Sequence, residues 1–152
     1  MPSPIIRRAI IEDLSQLAHL FDAYRQFYEQ APDIGLAKSF ISERINKHES
    51  VIFVAENAEK QLIGFCQIYT SFCSVIATKI GVLYDLFIDS TARKSGAGRA
   101  LMLAAHDYAT NNGMARLDLS TAKNNLKAQA LYESLGWVRD DVLYRYNKEI
   151  LA

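Results

Sequence analysis

The stretch Gly81–Met102, GVLYDLFIDSTARKSGAGRALM, decides how this chain folds. It begins with an apolar run, Val82–Ile88, which predicts a strand, and continues through a short polar loop that contains two glycines. A helical pattern follows from about Gly98 to Asn112, and Gly113 predicts its end. A strand, a glycine loop and a helix in this order indicate a mixed α/β protein whose loop lies at the start of a helix.

The loop Arg93-Lys94-Ser95-Gly96-Ala97-Gly98 has the properties of an anion site. Backbone N–H groups at a helix start lack partners within the helix, and the helix dipole adds partial positive charge there. Glycine lets the backbone approach an anion closely, and the side chains of Arg93, Lys94 and Arg99 can add charge. A tight strand-to-helix turn explains the two glycines equally well, so both interpretations stay open at this point.

Two well-known phosphate loops do not fit these residues. A Walker loop ends in Gly-Lys followed by Ser or Thr, whereas Gly98 is followed by Arg99 and Ala100. A dinucleotide-binding loop needs a third small residue, and Leu101 occupies that position. If the loop binds phosphate, the protein belongs to a family other than the Walker-loop and dinucleotide-binding proteins.

The rest of the chain shows no linker or repeat and predicts one domain over residues 1–152. Pro32 and Gly35 are expected to separate two helices near the N-terminus. In order, the patterns predict a strand at Ile5–Ala9, helices after Asp13 and Leu36, strands at Val51–Ala55, Leu62–Tyr69 and Gly81–Ile88, the helix after Gly98, a strand at Leu117–Ser120, a helix ended by Gly136, and strands at Trp137–Val138 and Val142–Tyr146. The two strands at Val51–Ala55 and Leu62–Tyr69 are expected to form an antiparallel hairpin.

Composition limits the kinds of partner. The 17 basic and 17 acidic residues cancel, so no charge excess suggests nucleic acid or an anionic membrane. A small molecule or another protein is the expected partner. Cys66 and Cys73 are too few for a disulfide framework, and the first residues lack a signal pattern, which together favour a cytoplasmic protein. The three histidines show no metal-ligand spacing, so no metal site is expected.

A second motif follows the glycine loop after about thirty residues, the separation set by one helix and one strand. It is the segment Asn125–Trp137, NLKAQALYESLGW. From periodicity alone Tyr132, beside Leu131 on an apolar helix face, is a core aromatic residue, and Asn125 is a helix cap.

Together the two motifs resemble the GNAT superfamily of N-acetyltransferases. That family carries Arg/Gln-x-x-Gly-x-Gly/Ala between its fourth strand and third helix, and Asn-x-x-Ala-x-x-Leu-Tyr-x-x-x-Gly-Phe later, where this chain has Trp137 in place of Phe. The resemblance covers about Ile5 to Tyr146. It implies an α/β (α+β) GNAT fold: a central mixed, mostly antiparallel twisted sheet of six to seven strands flanked by four helices.

The resemblance also implies acetyl-CoA as the cofactor, with its pyrophosphate on the Arg93–Gly98 loop. Backbone groups of Phe87 and Ile88 would hold the pantetheine arm in a gap between two strands, and Asn125 would contact the same arm. The family tyrosine that matches Tyr132 points at the cofactor sulfur. Tyr132 is therefore expected to protonate the departing thiolate as a general acid.

The amine that attacks the thioester must first lose a proton, and Asp85 is the expected base because it lies on the strand beside the cofactor cleft. Related polyamine acetyltransferases carry Glu one position earlier, where this chain has Tyr84, so a water chain to solvent is the alternative. Tyr24, Tyr28 and Tyr84 are expected to line the acceptor entrance. Packing onto the sheet explains Tyr24 and Tyr28 equally well. The expected acceptor is a polyamine, an amino acid or a peptide amine.

Two alternatives belong to other classes of function, and a third concerns the mechanism. A non-catalytic acyl-CoA sensor would keep the cofactor site without the chemistry, and a phosphate-binding regulatory domain would make Asn125 and Tyr132 coincidental. A ping-pong route through Cys66 or Cys73 competes with simple burial of a strand cysteine. The terminal strand Val142–Tyr146 would offer an edge for a homodimer.

Overall fold

The order of helices and strands follows the pattern expected around the glycine loop. A computed structural model describes residues 2–151 of the chain. Its elements are β1 (Ile5–Arg8), α1 (Leu14–Phe27), α2 (Ile34–Asn46), β2 (Val51–Glu56), β3 (Leu62–Cys73), β4 (Thr78–Ile88), α3 (Ala97–Asn111), β5 (Leu117–Asp118) and α4 (Leu126–Ser134). The expectation of four helices is confirmed for these residues. None of the helices described is long and apolar enough to cross a bilayer.

Polar side chains fix the junction between α1 and α2. The carboxylate of Asp33 accepts the backbone N–H of Leu36 at 3.0 Å and so caps the start of α2. Asp22, buried on α1, accepts from Arg25 at 2.8 Å and from the backbone N–H of Asp33 at 3.1 Å. The prediction that Gly35 breaks the helical pattern is wrong, because Gly35 lies in the first turn of α2. An exposed first turn tolerates glycine at little cost.

The sheet has five strands in the order β1-β2-β3-β4-β5. The first three pairings are antiparallel and the pairing of β4 with β5 is parallel. The predicted hairpin of β2 and β3 is confirmed. Its turn is closed by Asn57, whose side-chain oxygen accepts the N–H groups of Glu59 and Gln61 at 3.0 and 2.9 Å.

Helices cover both faces of the sheet. Phe65 on β3 packs against Phe21 and Tyr24 of α1, with ring centroids 6.1 and 5.8 Å apart. The next residue, Cys66, lies 3.9 Å from the carbonyl oxygen of Leu101 on α3. Because successive strand side chains point to opposite faces, α1 and α2 lie on one face and α3 on the other. The core between α1, α2 and the sheet is closed by fully buried aliphatic and aromatic residues of both layers.

The chain divides into two compact units, Met1–Ser120 and Thr121–Ala152. The first unit contains the whole sheet and α1 to α3, and the second contains α4. In the second unit Gly136, at φ 88°, follows the end of α4 as predicted.

The predictions of strands at Trp137–Val138 and Val142–Tyr146 are wrong. Residues 135–151 are neither helix nor strand in the structure. The sheet of the described residues therefore has five strands and not six to seven. The β-branched and aromatic residues of this segment favour extended backbone, but a strand exists only when an edge pairs with it. The expected homodimer contact depended on a strand at Val142–Tyr146, which is not formed in the structure.

Candidate active site

A β-bulge in β4 separates two neighbouring residues that have very different exposure. Leu83 pairs with Ile68 and Asp85 pairs with Gln67, so Tyr84 is the extra residue between them. Tyr84 is 60% exposed, whereas Asp85 is 4% exposed. Because successive side chains of a strand point to opposite faces, Asp85 lies inside the protein with Leu83 and Phe87 while Tyr84 stays at the surface.

Asp85 lies among neutral hydrogen-bond donors. The side-chain amide of Gln67 donates to its Oδ2 atom at 2.7 Å. The hydroxyl of Tyr24, which donates to the carbonyl oxygen of Tyr84 at 3.4 Å, also lies within hydrogen-bonding reach of this carboxylate. Burial raises the pKa of Asp85, and the hydrogen bonds from Gln67 and Tyr24 offset part of that rise. A carboxylate with a raised pKa is a stronger base than an exposed one.

Two tyrosines, Tyr24 and Tyr69, interact with this carboxylate, and each packs against another tyrosine. The ring of Tyr24 packs edge-on against that of Tyr28, with centroids 5.2 Å apart, and the ring of Tyr69 packs edge-on against that of Tyr84 at 5.8 Å. Burial and the charge of Asp85 raise the pKa of Tyr24, and burial first of all raises the pKa of Tyr69 to about 12. Both phenols are therefore protonated near neutral pH. The structure brings Tyr24 to Asp85 and Tyr28 to Tyr24, whereas the exposed side chain of Tyr84 packs against Tyr69 and not against Asp85.

Packing also explains Tyr24. Its ring lies 5.8 Å from Phe65 and 5.9 Å from Phe87, so it joins α1 to the sheet. The two interpretations of this residue are compatible, because the ring packs in the core while the hydroxyl reaches Asp85.

The outer edge of β4 is open next to Asp85. Within residues 2–151, β5 pairs with β4 only at Gly81 and Val82. On the opposite edge β3 stays paired with β4 as far as Ile88. The edge of β4 that faces away from β3 thus has no strand of the described chain beside it from residue 83 to residue 88, a range that includes Phe87. Such an edge can pair with an extended ligand.

The glycine loop leads from this edge to α3. Lys94 and Gly96 both have left-handed backbone, at φ 70° and 83°, and α3 begins at Ala97. The backbone N–H of Ala97 donates to the Ser95 hydroxyl at 3.3 Å. No acidic residue lies in the first turn of α3, so nothing there neutralises the positive end of the helix dipole. Gly98 lies within this first turn.

Arg93 points back towards the sheet. Its Nε atom donates to the carbonyl oxygen of Ile88 at 3.3 Å, and its guanidinium lies 5.9 Å from the ring centroids of both Phe27 and Phe87. The arginine thus links the end of β4 to the loop. Lys94 and Arg99 are exposed.

Two residues of the predicted site lie in the second unit. Asn125 caps α4, because its side-chain oxygen accepts the backbone N–H of Ala128 at 3.3 Å. The ring of Tyr132 lies 6.2 Å from that of Trp137, whose backbone N–H donates to the Tyr132 carbonyl oxygen at 3.0 Å. The helix cap predicted from Asn125 is confirmed.

The two cysteines differ in burial. Cys66 is buried, and burial raises its pKa to about 12, so it is a thiol and not a nucleophilic thiolate near neutral pH. Cys73 lies at the end of the β3–β4 pairing, and hydrogen bonding from the backbone of Ile76 lowers its pKa. Among residues 2–151, no three potential ligands form a metal site.

Comparison with known proteins identifies the family. A sequence model described as the Acetyltransferase (GNAT) family matches residues 14–137. The chain is 44% identical over 141 residues to the uncharacterized N-acetyltransferase YhfO of Bacillus subtilis (strain 168), over 93% of this chain and 94% of that protein. This chain belongs to the GNAT family. It is therefore an acyltransferase.

Two further similar proteins carry acetyltransferase names. A protein named probable acetyltransferase from Haemophilus influenzae is 29% identical over 112 residues, which cover 74% of this chain and 77% of that one. A crystal structure of a probable acetyltransferase has a TM-score of 0.91 and 33% identity, over 97% of this chain and 99% of that one.

Sequence reasoning missed Gln67 and Ser50. Gln67 is 0% exposed on β3, donates to Asp85 and accepts from the Ser50 hydroxyl at 2.6 Å. The available signal was one amide side chain in the otherwise apolar run LIGFCQIY. A buried amide in such a run indicates a polar partner across the sheet.

Proposed function

We propose that this GNAT protein transfers an acetyl group from acetyl-CoA directly to a primary amine of a small molecule or a peptide. The observation that carries the proposal is the buried carboxylate of Asp85, which lies among protonated tyrosines beside an open strand edge. An ammonium group has no lone pair, so the acceptor needs a base of this kind. The raised pKa brings Asp85 closer to the operating pH of a general base.

The first unit offers features that fit acetyl-CoA. The left-handed Gly96, the exposed Lys94 and the uncompensated N-terminus of α3 suit a pyrophosphate. The backbone of Phe87 and Ile88 lies on the open edge of β4 and suits an extended pantetheine arm. By resemblance, Asn125 contributes to holding the same arm, and Arg93 and Arg99 add positive charge.

Two residues would move protons. Acetyl-CoA, when bound, supplies the acetyl group as a thioester, whose carbonyl carbon the amine attacks and whose thiolate departs. Asp85 accepts the proton that the amine loses, directly or through one water. Tyr132 donates a proton to the thiolate, since a phenol and a thiol have similar reference pKa values. A backbone N–H near Phe87 stabilises the negative charge that develops on the carbonyl oxygen.

The aromatic surface around Asp85 favours a cationic acceptor. Tyr24 reaches the Asp85 carboxylate, and Tyr28 and Tyr84 pack edge-on against Tyr24 and Tyr69, so aromatic rings and a carboxylate occur together, and both attract an ammonium group. Polyamines, amino acids and peptide amines all carry such a group. Cys66 and Cys73 are both free thiols, which supports the expected cytoplasmic location.

The test is a free-thiol release assay with acetyl-CoA and a panel of polyamines, amino acids and peptides. Asp85→Asn and Tyr132→Phe should each lower kcat/KM by about 10²–10⁴ while the Kd of acetyl-CoA stays unchanged. Matched controls are Asp107→Asn on the exposed side of α3 and Tyr144→Phe in the second unit, which remove the same groups elsewhere. Both controls should keep the wild-type rate.

Three outcomes would contradict parts of the proposal. Acetyl-CoA binding without acceptor-dependent thiol release for any amine in the panel would favour the acyl-CoA sensor. Unchanged turnover in Asp85→Asn would remove this residue as the base and favour a water chain. Unchanged turnover in Tyr132→Phe would remove the acid.

A further inference from the structure

A buried polar chain runs from Asp85 to the start of β2. Gln67 pairs directly with Asp85 across β3 and β4, and its amide nitrogen lies 2.7 Å from Asp85 Oδ2. The Ser50 hydroxyl donates to Gln67 Oε1 at 2.6 Å. Gln67 is 0% exposed and Ser50 is partly exposed. The three hydrogen-bonded residues, Ser50, Gln67 and Asp85, all lie in the first unit of the protein.

The amide of Gln67 is held at both ends. The Ser50 hydroxyl donates to Oε1, and the NH₂ group is turned towards Asp85, whose ionised carboxylate can only accept. An NH₂ group can donate a hydrogen bond to an ionised carboxylate oxygen but cannot accept one from the O–H of a neutral carboxyl. The arrangement therefore favours the charged form of Asp85 and opposes the effect of burial, which favours the neutral form.

We propose that Gln67, oriented by Ser50, is a positioning residue that fixes the Asp85 carboxylate and keeps it ionised for proton transfer. The inference rests on the proposed role of Asp85 as the base. A protonated Asp85 could not take a proton from the acceptor amine, so a buried base at this position requires a donor that stabilises its charge. Gln67 supplies that donor from β3, the strand paired with β4.

The other titratable groups near Asp85 do not change their charge in the pH range where Asp85 is expected to act. The groups that face it or its neighbours are Tyr24 on α1, Cys66 and Tyr69 on β3, Tyr84 on β4, Arg44 on α2 and Glu49. The raised pKa values of Tyr24, Cys66 and Tyr69 keep these three groups neutral near neutral pH. Arg44 and Glu49 form an ion pair of 3.2 Å, which limits the net charge they bring.

The experiment compares Gln67→Met, Ser50→Ala and Ser50→Thr with the wild type and one fixed amine. Gln67→Met removes the donor and should move the acid limb of the kcat/KM profile to higher pH by about one pH unit, roughly a tenfold loss on the acid side. Ser50→Ala should move the limb in the same direction by less. Ser50→Thr keeps the hydroxyl and should restore the wild-type profile. Ile68→Val, a buried change on the same strand, should leave the limb in place.

A ¹³C NMR titration of the Asp85 carboxyl, assigned with Asp85→Asn, distinguishes an effect of Gln67 on Asp85 from the role of Asp85 as the base. A parallel rise of the carboxyl pKa and of the kinetic limb in Gln67→Met and Ser50→Ala supports the proposal. If the carboxyl pKa rises while the limb stays, Gln67 acts on Asp85 but Asp85 is not the base, and the proposed function loses its base. If the carboxyl pKa does not change, the positioning role is overturned even where Asp85→Asn is inactive. Should Gln67→Met fail to fold, Ser50→Ala decides between these results.

Discussion

The glycine that precedes α3 gives the sharpest test of the cofactor loop. Gly96 has a left-handed backbone at φ 83°, and a Cβ atom added there would meet nothing within 4 Å. Gly113, just after the end of α3, has φ 66° and the same empty surroundings. The two glycines therefore differ mainly in place, since only Gly96 lies in the proposed pyrophosphate loop.

The energetic cost of alanine follows from this geometry. With no steric contact, Gly96→Ala and Gly113→Ala each pay only for an L-residue in the left-handed region, about 1–2 kcal/mol. For a domain of this length each kcal/mol lowers Tm by about 2–4 °C, so both variants should lose about 2–8 °C. Gly96→Ala can relieve its strain by turning the loop N–H groups away from the phosphate. We expect its acetyl-CoA Kd to weaken by about tenfold, the equivalent of 1.4 kcal/mol.

Thermal unfolding and isothermal titration with acetyl-CoA measure the two quantities separately. Gly35→Ala serves as a further control, because Gly35 lies in a helix and an added Cβ would meet only Asp33 Oδ1 at an ordinary 3.7 Å. That variant should be as stable as the wild type or slightly more stable. The reasoning is refuted if Gly96→Ala loses stability but binds acetyl-CoA as tightly as Gly113→Ala does, since the loop would then be a turn and not a phosphate site.

Two further predictions concern the frame around the site. In Gly64→Ala the new Cβ would lie 2.9 Å from the carbonyl oxygen of Phe87, a backbone atom, so β4 must shift. We expect a loss of about 1–3 kcal/mol in urea unfolding together with slower thiol release, and an unchanged rate would contradict a role for this edge. Asp13 accepts two hydrogen bonds of 2.8 Å from Arg7, and these bonds lower its pKa. Their stabilisation is present above the ordinary pKa of aspartate and is lost as pH falls through the lowered value, so Asp13→Asn should cost about 1.5–3 kcal/mol near neutral pH and almost nothing in strong acid. A difference in unfolding free energy that does not vary with pH would show that the ion pair is not its source.

Local patterns predicted the central elements well. The apolar run before the glycine loop forms the end of β4, and the helix expected from about Gly98 to Asn112 is α3, at Ala97–Asn111. These elements depend on residues that are close in sequence: an alternating apolar pattern, a helix start at glycine and a left-handed stop at Gly113. The hairpin of β2 and β3 was predictable for the same reason, because its turn is made by a few adjacent polar residues.

Predictions failed or stayed incomplete where a residue depends on a distant partner. Val142–Tyr146 has the composition of a strand but forms none in the structure, because pairing requires an edge that local sequence does not specify. The burial of Asp85 follows the alternation of β4 between the buried Leu83 and Phe87, but the bulge at Tyr84, which sets the partner of Asp85 on β3, has no local signal. The contact of Asp85 with Gln67 joins residues 18 positions apart on neighbouring strands.

The sequence by itself determined the family, the glycine loop and the order of most elements, because two short motifs and local periodicity carry that information. Only the tertiary structure decided that Asp85 is buried, that Tyr24 reaches it from α1, that Gln67 on β3 bonds to it and that Ser50, just before β2, bonds to Gln67. The open edge of β4 could also be recognised only from the structure, in which β5 pairs with β4 at Gly81 and Val82 alone among the described residues. The physical reason is that burial and hydrogen bonding across a sheet are set by register, and register results from the packing of the whole core.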